Sequence, residues 1–337
     1  MIVSTCHDSV NALGIAAGRA AAAPFDRAEW YDLLAQTGLV PLVAMADDGA
    51  EQAALALTEE AGRITPLRNW YSFTWRQLAP PGERGDRLLV EIARQLKSRG
   101  HRVTLAPVPE EDGSATGLSR AFRKAGWRVE VTRCDTNHVL HVGGRSFAQY
   151  WATRSGRMRT TLKRKAKKVD TRILEHFDAA LWADYERIYA HSWKPDEDFP
   201  AMLRRFAEAE GAAGRLRFGM AWHEGRPVAA QCWTVEGGTA FIHKLAHLES
   251  HRHLSAGTTL TAALFEHVID RDRVSTVDFG TGDQPYKADW MEEVRPRYQI
   301  DCLAMGNARA WIDLARLAAR RLRERDVPEL APAPPAG

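Results

Sequence analysis

The chain has 337 residues, 45% of them hydrophobic, and a formal charge of +3; that is enough apolar material for a sizeable core and too little net charge to draw the whole molecule onto nucleic acid or anionic lipid. Its four cysteines, Cys6, Cys134, Cys232 and Cys302, lie far apart without a CxxC pair, which points to neither a disulfide framework nor a zinc site and fits a reducing, cytoplasmic setting. No basic stretch precedes a long apolar run at the N-terminus, and the alanines 20–23 are bounded by Arg19 and Pro24, so neither a signal peptide nor a membrane span is expected.

Taken in order, residues 27–36 read as a short helix, and 41–46 with 53–58 as a hairpin turned by Asp47-Asp48-Gly49. A third, aromatic and β-branched strand is expected over 64–75. After the break Pro80-Pro81-Gly82, a helix over 86–98 carries Leu88, Leu89, Ile92 and Leu96 at helical spacing and stops at Gly100. A strand at 103–108, a helix at 115–125 and a strand at 127–132 complete the first half.

Between the halves lies a cationic segment. Residues 154–172 hold nine basic side chains (Arg154, Arg157, Arg159, Lys163, Arg164, Lys165, Lys167, Lys168, Arg172) against one acid, Asp170. Met158, Leu162, Ala166 and Val169 fall at spacings of four, four and three, so the pattern predicts a helix with one apolar stripe and a cationic remainder. Such a face, with Arg159, Lys163 and Lys167 on it, serves a phosphorylated cofactor, an anionic membrane surface or RNA, or else is a solvated surface helix packed on the core.

The second half repeats the plan of the first. Strands at 216–222 and 228–235 flank the turn HEGRP, a third runs over 239–248, a helix over 257–270 and a strand over 276–279. Aligning the hairpins sets Met45 against Met220 and Ala54 against Ala229, and each unit then reads strand, strand, strand, helix, strand. Only the second copy has a strand opening through the small residues Ser255, Ala256, Gly257, Thr258 and Thr259 into a helix, an arrangement that offers free backbone N–H groups to a phosphate. APPGERG in the first copy is a poor helix entry. Residues 308–325 form a last basic amphipathic helix, and the tail APAPPAG reads as disordered.

Together, RSGRMRTTLKRKAKK, LSAGTTL and DFGTGDQPYKADW resemble the GNAT acyltransferase superfamily, in its BioF2-like or CelD-like branch related to the FemAB transferases; the likeness spans roughly residues 146–303. It implies an α/β fold with a mixed sheet, the GNAT-like acyl-CoA N-acyltransferase fold in tandem. Implied units are a degenerate one at 1–135, an acyl-CoA-binding one at 136–305 with its basic helix at 155–170, and a C-terminal helix and tail at 306–337. The superfamily signature Gln/Arg-x-x-Gly-x-Gly/Ala would fall on Arg252 to Gly257, with one glycine and the arginine displaced. Leu245, Arg252, Ser255, Ala256, Gly257, Thr258 and Thr259 are thereby implied to bind coenzyme A, with no metal.

Acyl transfer to an amine needs a neutral amine, an oxyanion stabiliser and an acid for the thiolate. His243 and His247 are expected on one face of the 239–248 strand with Lys244 on the other. On a strand two such rings stand roughly 13 Å apart, which argues against zinc; His243 is either a general base or a satisfied core histidine. Asp278 or Asp283 would accept a proton, Asp283 also being a candidate helix cap. By resemblance, Tyr286 would protonate the thiolate and Lys287 would stabilise the oxyanion. The wording of 246–298 further resembles bacterial ceramide synthases, implying a long acyl chain and a sphingoid-like amine, a coenzyme A or acyl carrier protein donor and a peripheral place at the inner membrane face. An amino-sugar acetyltransferase, a transferase using aminoacyl-tRNA and a non-catalytic ligand-binding module stay open; no DNA partner is expected.

Overall fold

A computed structural model describes residues 1–325 apart from 15, 17 and 19–21. The tail 331–337 and part of the alanine run therefore lie outside the described residues. The first half contains β1 (Val3–His7), α1 (Ala28–Ala35), β2 (Leu42–Asp47), β3 (Gln52–Glu60), β4 (Arg63–Pro66), α2 (Glu83–Leu96), β5 (Arg102–Val108), α3 (Ser114–Lys124) and β6 (Arg128–His141). Then α4 (Phe147–Ala152) and α5 (Gly156–Lys165) lead into the second half: β7 (Asp170–Leu174), α6 (Ala179–Ala190), α7 (Pro200–Ala212), β8 (Leu216–His223), β9 (Arg226–Glu236), β10 (Thr239–His247), α8 (Ala256–Glu266), β11 (Thr276–Thr281), α9 (Pro285–Trp290) and β12 (Glu293–Leu303). The helix α10 (Ala308–Arg325) follows.

Local chemistry accounts for the elements that carry the hairpins and helices. At the first turn the Gly49 N–H donates to Asp47 at 2.6 Å and Asp48 accepts the N–H groups of Ala50 and Glu51, each at 3.0 Å. Gly49 sits at φ +90°, where a side chain would be strained. The apolar stripe of α2, Leu88, Leu89, Ile92 and Leu96, is buried as its spacing requires.

Among the described residues all the strands join one mixed sheet in the order β1-β2-β3-β4-β5-β12-β6-β11-β10-β9-β8-β7. Exchanging each first-half strand for its second-half counterpart and reading the sheet backwards returns the same order. The duplication seen in the pattern is thus a structural pseudo-symmetry: a parallel β4·β5 pair mirrors a parallel β10·β11 pair. At the centre the halves trade their last strands. β12 pairs with β5 and β6 with β11, and β6 and β12 run antiparallel along eleven registered pairs, Glu293↔Val139 to Leu303↔Arg128. β6 passes unbroken through Asp135 and Thr136, so the hydrogen-bonded strand crosses the position at which the resemblance divides the units.

Several sequence expectations change. The third strand ends at Pro66, not at residue 75; proline has no N–H to continue the ladder, and residues 67–82 cross as an aromatic loop touching the sheet through Ala54 and Leu78. The basic helix stops at Lys165, a tight turn spans Ala166–Lys168, and Val169 is already extended, so Ala166 and Val169 are not part of a helical stripe. α6 and α7, unexpected from the sequence reading, pack with α1 against one face of the sheet, while α4, α5 and α8 cover the other. No helix among the described residues is long and apolar enough to cross a membrane.

Candidate active site

β10 and β11 share three parallel rungs, Thr239↔Thr276, Ala240↔Val277 and Phe241↔Asp278. Beyond them β10 follows β9 and β11 follows β6, and the strands separate. Into that gap opens a cleft of about 480 Å³, with Leu245, Ala246 and His247 of β10 on one wall and Phe279, Tyr286 and Trp290 on the other. At its mouth stands the start of α8. That helix has no side-chain cap and no acid in its first turn, and Ser255 before it sits at φ +53°. The N–H groups of a first turn have no intrahelical partner, so those at Ala256, Gly257 and Thr258, all lining the cleft, face it as anion donors. Gln231, 1% exposed, anchors this turn by donating to the Gly257 carbonyl at 3.1 Å and to the Thr261 hydroxyl at 2.7 Å.

Positive charge converges on the same mouth. Arg157 and Arg252 line the cleft, and Lys165 donates to the Ser255 hydroxyl at 3.2 Å. Arg157, Thr161 and Lys165 follow one another at intervals of four on α5, so one edge of the helix addresses the cleft. Arg159, Lys163 and Lys167, the basic residues singled out from the sequence, are exposed and do not line it. Thr259 is likewise turned away: it is 7% exposed and donates to the Ser255 carbonyl at 3.3 Å, leaving Leu245, Arg252, Ser255, Ala256, Gly257 and Thr258 of the expected cofactor set on the cleft.

A bulge overturns the expected facing of the histidines. The β10·β9 register slips between Ile242 and Lys244, so His243 is an extra residue and the side-chain alternation reverses after it. His243 and Lys244 consequently face the α6–α7 side together, and His247 faces the cleft, its ring 4.3 Å from that of Trp193. The His243 ring is enclosed by Phe25, Phe73, Phe206 and Phe241, with Nε2 hydrogen-bonded to the Thr234 hydroxyl at 2.7 Å. Burial pushes its pKa down to about 3. It is a half-buried histidine packed among aromatic rings and turned from the cleft, which corrects its assignment as general base.

Asp278 stands at the last rung, accepting from Asn137 at 3.1 Å and from the Gly280 N–H at 2.7 Å; burial raises its carboxyl above the usual range despite these bonds. Lys287 is 5% exposed and its ammonium donates to the carbonyls of Gly280 and Thr281, bracing the turn, with burial lowering its pKa to about 8. Tyr286 is 38% exposed at the cleft, beside Phe279. Asp283 caps nothing: Gln284 occupies the N-cap of α9 without a side-chain bond, and the Asp283 carboxylate is 86% exposed.

The sequence reading missed Gln231, Trp193 and Trp290 on the cleft, and His138, which is 3% exposed with neither ring nitrogen hydrogen-bonded and with the Asp283 carboxylate 3.5 Å away. The four-residue spacing from Arg157 to Lys165 was a legible signal. Gln231 lies in an apolar strand and His138 in a strand of mixed polarity, and neither gave one.

This geometry agrees with the comparisons to known proteins. Residues 156–288 match the acetyltransferase (GNAT) domain family. The structure of FemX covers 89% of this chain and 97% of its own length with a TM-score of 0.63 at 9% identity. A conserved protein of unknown function from Bacteroides thetaiotaomicron VPI-5482 aligns over 89% of this chain and 100% of its own at 0.56 and 10% identity. A tandem GNAT protein from the clavulanic acid biosynthesis pathway aligns over 89% and 98% at 0.50 and 13% identity. No curated protein matches the sequence. At these identities the likeness defines the fold, a tandem GNAT architecture in whose second half residues 156–288 match the acetyltransferase (GNAT) domain family.

Proposed function

We propose that the protein is an acyl-CoA-dependent N-acyltransferase working at the β10–β11 gap. The observation that carries this is the parallel pair that separates after three rungs, with the uncapped α8 at the mouth of the resulting cleft. In this reading the coenzyme A pyrophosphate rests on the amides of Ala256 to Thr258 beside Arg157, Lys165 and Arg252, and the pantetheine runs inward along Leu245. The amine nitrogen bonds to the thioester carbonyl carbon and the carbon–sulfur bond breaks; Asp278 takes the proton lost by nitrogen and Tyr286 supplies one to the departing thiolate. Since Lys287 is engaged with two backbone carbonyls, the oxyanion falls to backbone N–H groups that β10 turns into the gap.

We place the long acyl chain and sphingoid-like amine, with docking on an anionic membrane, as the finer version of this reading. Exposed Arg159, Lys163, Arg164, Lys167 and Lys168, without an ion pair among the described residues, support it. The same cationic face supports a second reading, a polyanionic donor such as aminoacyl-tRNA or an acidic carrier protein. Isothermal titration with coenzyme A tests the core proposal, followed by mass analysis after incubation with acyl-CoA and amines. Binding with an N-acylated product is expected; binding without product leaves a ligand-binding module, and no binding overturns the donor assignment. Flotation with anionic liposomes should weaken when Lys163, Lys165 and Lys167 become Glu.

A further inference from the structure

A second cavity, of about 340 Å³, lies between α6, residues 191–199 and the start of α7. No residue lines both it and the β10–β11 cleft. One wall is aromatic: Trp182, Tyr185 and Tyr189 follow one another at helical spacing on α6, with successive ring centroids 4.8 Å and 5.9 Å apart. The other walls carry the carboxylates of Glu186, Asp196 and Glu197 and the ammonium of Lys194.

These charges do not cancel. Glu197 is already engaged, since it pairs at 2.8 Å with Lys244, whose ammonium lies 3.7 Å from the Trp70 ring centroid, and accepts from the hydroxyls of Tyr71 and Tyr185. Glu186 accepts the Trp182 indole N–H at 3.0 Å through one oxygen only, and Asp196 makes no hydrogen bond or ion pair among the described residues. Lys194 alone stands against these two carboxylates. Its ammonium is 5.9 Å from the Tyr189 ring centroid, at the margin of useful contact, so the cavity is net acidic and holds its own cation loosely.

An independent feature points the same way. Tyr189 is 5% exposed, and its hydroxyl is buried without a hydrogen-bond partner. Burial and the charges of Glu197, Asp198 and Asp196 raise its pKa to about 12, so a neutral phenol stands in the field of these carboxylates with its oxygen free to accept. A buried polar group left unmatched is costly, and an N–H donor entering the cavity satisfies it. Among the described residues no three carboxylate, imidazole or thiol groups converge as metal ligands. Rings, unpaired carboxylate oxygens and a free phenol oxygen instead match an ammonium on an apolar body: the rings attract the charge and cover the body, and the oxygens take the N–H groups.

We propose that this cavity is a binding site for a primary organic ammonium ion, separate from the β10–β11 cleft, and that the ligand keeps its charge there. The surplus of carboxylates favours the charged form. It is a recognition site, with no bond made or broken in it. The proposal goes beyond the acyl-transfer reading and does not rest on it.

Calorimetric titration of the full chain at about pH 7 with benzylammonium, and with benzyl alcohol as a neutral molecule of similar shape, tests this. The cation should bind and the alcohol should bind at least about tenfold more weakly. Glu186→Gln removes a charge but keeps an acceptor for the Trp182 indole, and with Asp196→Asn in the same chain it should weaken the cation at least about tenfold. Tyr189→Phe keeps the ring and should weaken it about threefold, while Lys194→Met removes the competing charge and should tighten it about threefold. Absence of benzylammonium binding by the wild type, equal binding of benzyl alcohol, or wild-type affinity in the Glu186→Gln/Asp196→Asn variant each overturns the proposal. Should that variant not fold, the two wild-type titrations and Asp196→Asn alone, at an exposed position, decide it. Coenzyme A titration without the cation reads the β10–β11 cleft separately, so failure of this site and failure of the acyltransferase reading are distinguishable.

Discussion

The two halves place a helix start beside a parallel strand pair, and they treat it in opposite ways. In the second half the β10–β11 gap is open and α8 begins with small, uncharged residues. In the first half the corresponding β4–β5 gap is filled. Trp75, 1% exposed, crosses it, its backbone N–H donating to the Pro107 carbonyl at 3.0 Å and its indole N–H to the Ala56 carbonyl at 2.8 Å. The start of α2 carries Glu83 and Asp86, and the Pro80 carbonyl lies only 1.9 Å from where a Cβ on Gly85 would be. A hollow of about 640 Å³ remains there, but Glu51, Asp86 and Asp112 line it. The same backbone plan thus yields an open cleft with an uncapped, acid-free helix start in one copy and a plugged, acid-lined surface in the other, through side chains alone.

That contrast can be broken by removing the plug. Trp75→Ala should lower stability by about 3–5 kcal/mol in denaturant unfolding, since a fully buried indole with two anchoring bonds is lost, and should leave coenzyme A stoichiometry unchanged. Gly257→Asp imports the acidic character of α2 into the start of α8. It should weaken coenzyme A binding by at least about tenfold in calorimetry while the melting temperature holds; retained affinity would show that the phosphates sit elsewhere.

The contact between the halves is sharpened at Gly280. It sits at φ +70°, and a Cβ there would come within 3.0 Å of the Phe73 ring of the first half. Gly280→Ala should therefore lower stability by about 1–3 kcal/mol, with Phe73→Leu recovering part of the loss if ring contact is the cause. At neutral pH the smallest effect is expected at His243. Its folded pKa of about 3 lies below the ordinary value, so the unfolded chain binds the proton more readily. The associated stability is complete above about pH 6.5 and drains away by up to about 1.4 kcal/mol per unit as pH falls toward the folded value. His243→Phe should flatten that acid dependence in urea unfolding and retain turnover, and loss of turnover would return His243 to the chemistry.

Much of this was legible in the chain. Hairpin signals, the α2 stripe, the repeat and the small-residue entry to α8 are short-range patterns, and each appears where its local chemistry places it. α6 was equally readable from Trp182, Tyr185 and Tyr189 at helical spacing, and was overlooked. Tyr286 and Gly257 could be assigned to one site because turn and loop chemistry announce themselves locally. His243 could not: one inserted residue in a pleated strand reverses every side chain after it, and nothing in the alternation of IHKLAH marks where the insertion falls.

What the sequence determined by itself is therefore the element plan, its duplication and the chemical character of each local segment, because propensity, turn residues and periodicity act over a few positions. What only the tertiary structure decided is which of those segments meet: the traded strands β6 and β12, the plugging of one gap and opening of the other, and the meeting of Lys244 with Trp70, Tyr71 and Glu197. Those depend on register and on contacts between residues distant in the chain, where a single bulge or one well-placed tryptophan outweighs any local preference.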